Sequence, residues 1–178
     1  LPIIGYAATL SLSPPSGSFS VGSDFDVGVI MDTAGSAVDG ADLRYLNYNP
    51  ALLDVVDADT SASGIQITAG SLLPIMALNS TDTVAGRVSF SQLAAGGSTF
   101  TGSGTLAQVK FRARASGTAT VSFTFTFGNT SDTNVASAGV DLLTSVTNGS
   151  YIIGAAPTPT PTPTPPPTPT PTPTPTPI

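Results

Sequence analysis

An alternation of period two governs this sequence. It is plainest at Thr118–Phe127, where Val121, Phe123, Phe125 and Phe127 interleave with Ser122, Thr124 and Thr126. Successive side chains of an extended strand point to opposite faces, so such a run has one dry and one wet side. The pattern recurs along the chain. Ala7–Ser13 sets Leu10 and Leu12 against Thr9, Ser11 and Ser13, and Asp24–Asp32 aligns Phe25, Val27, Val29 and Met31. Asp42–Tyr48 alternates until Asn49-Pro50, and Val84–Leu93 offers Val84, Val88 and Phe90. Thr105–Arg114 turns Val109, Phe111 and Ala113 inward and Lys110, Arg112 and Arg114 outward. Breaks rich in Gly, Ser, Thr, Asn and Asp fall about every ten residues, the spacing of a sandwich or barrel. No segment carries a sustained helical stripe, although Asn49–Leu53 suits a single turn. The expected fold is all-β, a jelly-roll or immunoglobulin-like sandwich.

The alternation stops where the composition changes. From Pro157 to Pro177 every residue is Pro or Thr. Proline fixes φ and donates no hydrogen bond, so residues 157–178 read as a polyproline II stalk about 65 Å long. Thr158, Thr160, Thr162, Thr164, Thr168, Thr170, Thr172, Thr174 and Thr176 are candidates for covalent O-linked glycan, as in mucin-like stalks. A spacer between modules is one reading of this stretch, and a tail packed against another subunit is the other. At the opposite end, residues 1–6 form an apolar extension. They lack the basic start and full apolar core of a signal region. Between the two lies one expected domain, residues 7–156.

Composition narrows the function. The 178 residues include no His, Cys or Trp, and all eleven acidic residues are Asp. Imidazole bases, thiolates and Cys/His metal sites are therefore ruled out, and an enzyme is not expected. A net charge of −6 opposes nucleic-acid binding, which needs clustered cations. No apolar run reaches the eighteen or so residues of a membrane span. Only 9% of residues are charged. A surface so poor in charge suits an extracellular protein covered by glycan or by neighbouring molecules.

Few segments look like sites. Asp54–Asp59 followed by Thr60–Gly64 suggests a calcium loop, but an EF-hand count from Asp57 meets Ala62 and Thr68 where Gly and Glu are needed. Strand end and turn is the better reading, and no metal or cofactor is expected. Asp24 and Asp26 share one strand face as ordinary wet-side residues, and Asp39 and Asp42 read as turn residues. Lys110, Arg112 and Arg114 form the most localised charge feature, either a solvated face or a surface for the Asp-rich side of a neighbouring copy. Lys110 points outward, which disfavours an isopeptide bond. Tyr6, Tyr45, Tyr48 and Tyr151 are too scattered to make a strong sugar platform. Asn79, Asn129 and Asn148 begin N-glycosylation triplets. Leu1, Ile3, Ile4 and Tyr6 could add as a strand to a neighbour's sheet edge or pair within their own domain.

One stretch carries a likeness. Gly40–Leu53, with Tyr48-Asn49-Pro50 and Leu52-Leu53, resembles the strand-and-turn pattern of cohesin modules, as do Gly17–Val29, Gly102–Phe111 and Ser116-Gly117. Asn49 departs from the Asp common there. The resemblance covers Ala8–Gly154 and implies a jelly-roll of about nine strands. It further implies a scaffold module that binds dockerin, a small calcium-loaded helical module, across one flat sheet face. Residue chemistry and resemblance agree on a non-catalytic, cell-surface protein-interaction module. The expected role is a structural subunit of a cell-surface fibre, with copies of the chain itself as partners in a homopolymer. The alternative is a scaffold module that binds a dockerin, and a carbohydrate-binding module ranks third.

Overall fold

The computed structural model describes residues 7–155. Leu1–Tyr6 and the Pro–Thr stalk, with its candidate glycosylation sites, lie outside the described residues.

The described chain forms fourteen strands. They are β1 (Ala8–Ser13), β2 (Ser16–Ser20), β3 (Asp24–Asp32), β4 (Gly40–Asn47), β5 (Leu53–Val55), β6 (Thr68–Ala69) and β7 (Ile75–Asp82). After them come β8 (Arg87–Leu93), β9 (Ser103–Ala113), β10 (Gly117–Phe123), β11 (Asn134–Ser137), β12 (Val140–Asp141), β13 (Leu143–Thr147) and β14 (Gly149–Gly154). A six-stranded sheet runs β13-β1-β3-β9-β5, with β6 also on β9. In the eight-stranded sheet, β4 carries β8 and then β7 on one side, and β10 and β11 on the other. β10 continues to β14 and β2, and β11 to β12.

The count exceeds the expected nine for two reasons. β5, β6 and β12 are only two or three residues long. In addition, β1 and β2 are one path that leaves the first sheet and enters the second at Pro14-Pro15, and β13 and β14 switch beside it at Asn148. The two paths stay parallel throughout, from Ala8↔Leu143 to Ser20↔Gly154. Tyr151 ties the switch by donating its hydroxyl hydrogen bond to the Pro14 carbonyl at 2.8 Å, and burial pushes that hydroxyl's pKa up to about 12.

Packing follows the alternation. Phe25, Val27, Val29 and Met31 of β3 are all buried, as are Val88 and Phe90 of β8 and Val109, Phe111 and Ala113 of β9. The single turn at Asn49–Leu53 also forms: the Leu52 and Leu53 amides both bond the Asn49 carbonyl at 3.0 Å.

Two inward assignments fail. Val84 is 90% exposed. The Asp82 carboxylate captures the Val84 and Ala85 amides at 3.0 and 2.9 Å, and Gly86 adopts φ +66°, so a turn replaces the start of the expected strand. A Cβ at Gly86 would sit 2.2 Å from the Tyr48 carbonyl oxygen, which restricts this turn to glycine. Phe127 is 73% exposed. β10 ends at Phe123, and the buried Asp132 carboxylate takes the Thr126 amide at 2.7 Å, drawing the chain out of the ladder.

Candidate protein-binding face

Each sheet presents one solvent face, and the five cations divide between them. On the six-stranded sheet, Lys110, Arg112 and Arg114 point outward from β9 and its end, as alternation requires. Register places Asp24 opposite Arg112 and Asp26 opposite Lys110 on β3, and Asp54 opposite Arg112 on β5. Arg112 grips Asp24 with two hydrogen bonds, Nε to Oδ1 at 2.7 Å and Nη2 to Oδ2 at 3.0 Å. That hydrogen bond, with the guanidinium charge, holds the Asp24 carboxyl below its ordinary range. Arg114 lies 3.3 Å from Asp54 and donates to the Pro50 carbonyl at 2.8 Å. Both arginines of the stripe are thus paired within their own sheet, while Lys110 stands in register with Asp26 without an ion pair within 4.0 Å among the described residues. Exposed pairs of this kind contribute little to stability.

The eight-stranded sheet is built differently. Paired positions in β7, β8 and β4 give outward rows: Ile75 beside Leu93 and Gly40, Leu78 beside Ser91 and Asp42, and Asp82 beside Arg87 and Asn47. Between them β4 bulges. Leu43 and Leu46 face the core opposite Phe90 and Val88, leaving both Arg44 and Tyr45 on the outside against Ser89, whose hydroxyl donates to the Arg44 carbonyl at 3.1 Å. Bulges re-aim side chains in this way. The guanidinium carbons of Arg44 and Arg87 lie 5.5 and 4.8 Å from the Tyr45 ring centre, within cation–π range. Among the described residues no carboxylate lies within 4.0 Å of either guanidinium. Asn47 braces this end by donating to the Ser122 carbonyl at 3.2 Å and to Thr124 Oγ1 at 2.8 Å.

Opposite this cationic, aromatic end stands an apolar one. Ile75, Leu78 and Leu93 are each more than 40% exposed, and Leu93 folds over Gly40, 3.1 Å from where a Cβ would stand. Asp42 sits between the two ends. Burial pushes its carboxyl pKa up, with the Arg44 charge pulling the other way. Tyr and Arg beside exposed aliphatic side chains are the residue types that dominate protein–protein contacts. Sequence reasoning noticed Tyr45 only as a scattered tyrosine and missed Arg44 and Arg87. The available signal was two outward residues in succession between Leu43 and Leu46, which breaks period two and marks a bulge.

The remaining candidates have structural partners. Asp57 Oδ1 accepts the Asp59 and Gln66 amides, and Asp59 Oδ1 accepts the Ser61 amide and hydroxyl, so the acids after β5 serve as turn caps. The Asn79 amide pairs with both backbone groups of Ile67 at 3.0 and 2.7 Å. Asn129 bonds Asp132 and Ser131, and Asn148 Oδ1 accepts the Phe123 amide. All three N-glycosylation asparagines therefore have side chains committed to the fold. Tyr48 and Tyr151 are buried, so the tyrosines among the described residues form no common platform. Among the described residues no group of three acidic, His or Cys side chains could hold a metal, and no helix is long and apolar enough to cross a membrane.

Two sheets in jelly-roll order define a β-sandwich module, one of whose outer faces carries a bulge. The chain belongs to the cohesin domain family, whose sequence model matches residues 9–153. Cohesin domains are non-catalytic protein-interaction modules. The structure resembles a type II cohesin domain from the cellulosome of Acetivibrio cellulolyticus, with TM-score 0.63 at 18% identity, covering 82% of this chain and 95% of that one. It also resembles a type I cohesin–dockerin complex from Clostridium thermocellum, with TM-score 0.63 at 11% identity, over 83% and 99% of the two chains. A non-cellulosomal cohesin from the archaeon Archaeoglobus fulgidus gives TM-score 0.58 at 21% identity, over 83% and 91%. At these identities the likeness is one of fold. No curated protein matches the sequence.

Proposed function

We propose that this chain is a non-catalytic extracellular module that captures a protein partner on the solvent face of its eight-stranded sheet, and that the partner is a dockerin. The observation that carries this reading is the Arg44–Tyr45–Arg87 cluster, whose guanidinium groups stack on the tyrosine ring and form no ion pair within 4.0 Å among the described residues, on the same face as the apolar Ile75–Leu93 end. Aromatic and guanidinium anchors beside desolvatable aliphatic side chains suit an acidic partner with an apolar ridge. Family membership supports a protein partner, and a chain only 9% charged supports a place outside the cell. The Pro–Thr stalk would then hold the module away from whatever carries it, with glycan on its threonines.

A second reading, a structural subunit of a surface fibre, draws on β7. This strand pairs only with β8 among the described elements and leaves its outer edge open beside exposed Ile75, Met76 and Leu78. An open edge accepts a strand from another copy.

Titration calorimetry of the full chain against a panel of calcium-loaded dockerins tests the first reading. The expected result is a one-to-one complex that is lost when Tyr45 and Arg87 are both changed to Ala and retained in Arg112→Ala. A panel with no binder, together with filaments under the electron microscope, would move the assignment to the fibre subunit.

A further inference from the structure

A second apolar feature lies away from both sheet faces. Phe127 and Val140, 73% and 53% exposed, line a groove of about 500 Å³ together with the buried Leu142 and Leu143. The loop polar groups near it are turned to structural use. Asp141 Oδ1 accepts the Leu143 amide at 3.0 Å, and Asp132 Oδ2 accepts the Thr126 amide and the Asn129 side chain. Two large apolar side chains are thereby left in water without a partner from the described residues, and burying each of them is favourable.

The chain itself supplies a match. β1 begins against this groove: the Ala8 amide donates to the Leu142 carbonyl at 3.1 Å, and Thr144 Oγ1 donates to the Ala8 carbonyl at 3.1 Å. β1 runs parallel to β13 with Ala8 beside Leu143, so the described chain enters β1 from the side on which β13 is entered from Val140–Leu142. The residues directly upstream are Leu1-Pro2-Ile3-Ile4-Gly5-Tyr6, five of them apolar or aromatic. Six residues reach about 20 Å at most when extended, and they are joined through Ala7 to the strand end that bonds Leu142 and Thr144 of the groove.

We propose that Leu1–Tyr6 of the same chain seats in the Phe127–Val140 groove, with Ile3 and Ile4 as its anchors. Closing over its own domain keeps the segment from a neighbour's sheet edge and removes an apolar patch at the end of the sandwich where β1 begins. The inference does not depend on which partner the eight-stranded face takes.

The absence of cysteine makes the test clean. In the full chain, Ile3→Cys and Ile4→Cys are each combined with Val140→Cys, and Ile4→Cys with Val84→Cys serves as the control at a distant exposed turn. After mild oxidation, non-reducing electrophoresis and peptide mass spectrometry should find an intrachain disulfide in at least one Val140 pair, several-fold above the control. No disulfide in either pair, or yields equal to the control, would overturn the proposal. A disulfide between chains would overturn it too and give the groove to a neighbour's segment. A second readout needs no cross-link. Phe127→Trp creates the chain's only tryptophan, and adding Ile3→Asp and Ile4→Asp should red-shift its emission and raise acrylamide quenching. Unchanged emission and quenching would count against seating.

Discussion

On the six-stranded sheet, Arg112 meets Asp24 and Arg114 meets Asp54, so each guanidinium has a carboxylate from the adjacent strand. On the eight-stranded sheet, Arg44 and Arg87 meet the ring of Tyr45 instead, and Ile75 and Leu93 stand exposed at the far end of the same face. The same residue type therefore has two fates within one domain. Register alone does not decide which, since Asp82 stands opposite Arg87 as Asp24 stands opposite Arg112; the Asp82 carboxylate instead accepts the Val84 and Ala85 amides. Three cations spaced two apart on one strand make the louder feature in the sequence. The quieter pair, Arg44 and Arg87, is the one on which the proposed partner contact rests.

That contrast can be broken from below. Phe90 is fully buried beneath the eight-stranded face, opposite Leu43. Phe90→Ala should cost about 3–5 kcal/mol of stability in urea unfolding, removing the floor on which the bulge rests. The next effect is on binding. Changing both Tyr45 and Arg87 to Ala should weaken partner affinity about thirtyfold or more, roughly 2 kcal/mol, while the melting temperature stays nearly unchanged.

Acid titration sharpens the comparison further, because the two faces carry aspartates shifted in opposite directions. Asp24 is held low by Arg112, so its stabilisation is complete above the ordinary aspartate pKa and is lost as pH falls through the lowered value. Asp42 is pushed up by burial, so its favourable neutral form is complete at low pH and lost as pH rises through the raised value. At pH 7, then, Asp24→Asn should lower the unfolding midpoint and Asp42→Asn should raise it. The Asp42 difference should vanish below the ordinary aspartate pKa of about 3.9, and the Asp24 difference only as pH falls through its lowered value. The smallest effect belongs to Arg112→Ala. It should leave partner affinity within about twofold and lower the melting temperature slightly, by an amount that shrinks with added salt.

Much of the sandwich was legible because half-buried strands alternate. β1, β3, β4, β8, β9 and β10 are all found where the alternation places them, with most of their inward residues correctly assigned. β7 was not legible: as an edge strand it is exposed along most of its length, so no dry face marks Ile75–Asp82. β2 hid because Ser16–Ser20 offers a single large apolar residue, Phe19. Val84 and Phe127 misled because Asp82 and Asp132 capture backbone amides nearby, and a side-chain cap outweighs two residues of pattern. The candidate face escaped for a related reason. Its bulge interrupts the periodicity through which strands are read, and its two arginines lie on different strands.

The parallel path of β1–β2 along β13–β14 has a mechanical consequence. The described chain starts at one end of this ladder and finishes at the other, so tension drawn between Ala7 and Ala155 slides the two paths along one another in opposite directions. Hydrogen bonds from Ala8↔Leu143 to Ser20↔Gly154 then share the force and yield together, rather than opening one after another as in an unzipped hairpin. Pulled by its two ends, a domain with no disulfide and few ion pairs should resist in shear, and its lifetime under force would be set by the rupture of this one ladder.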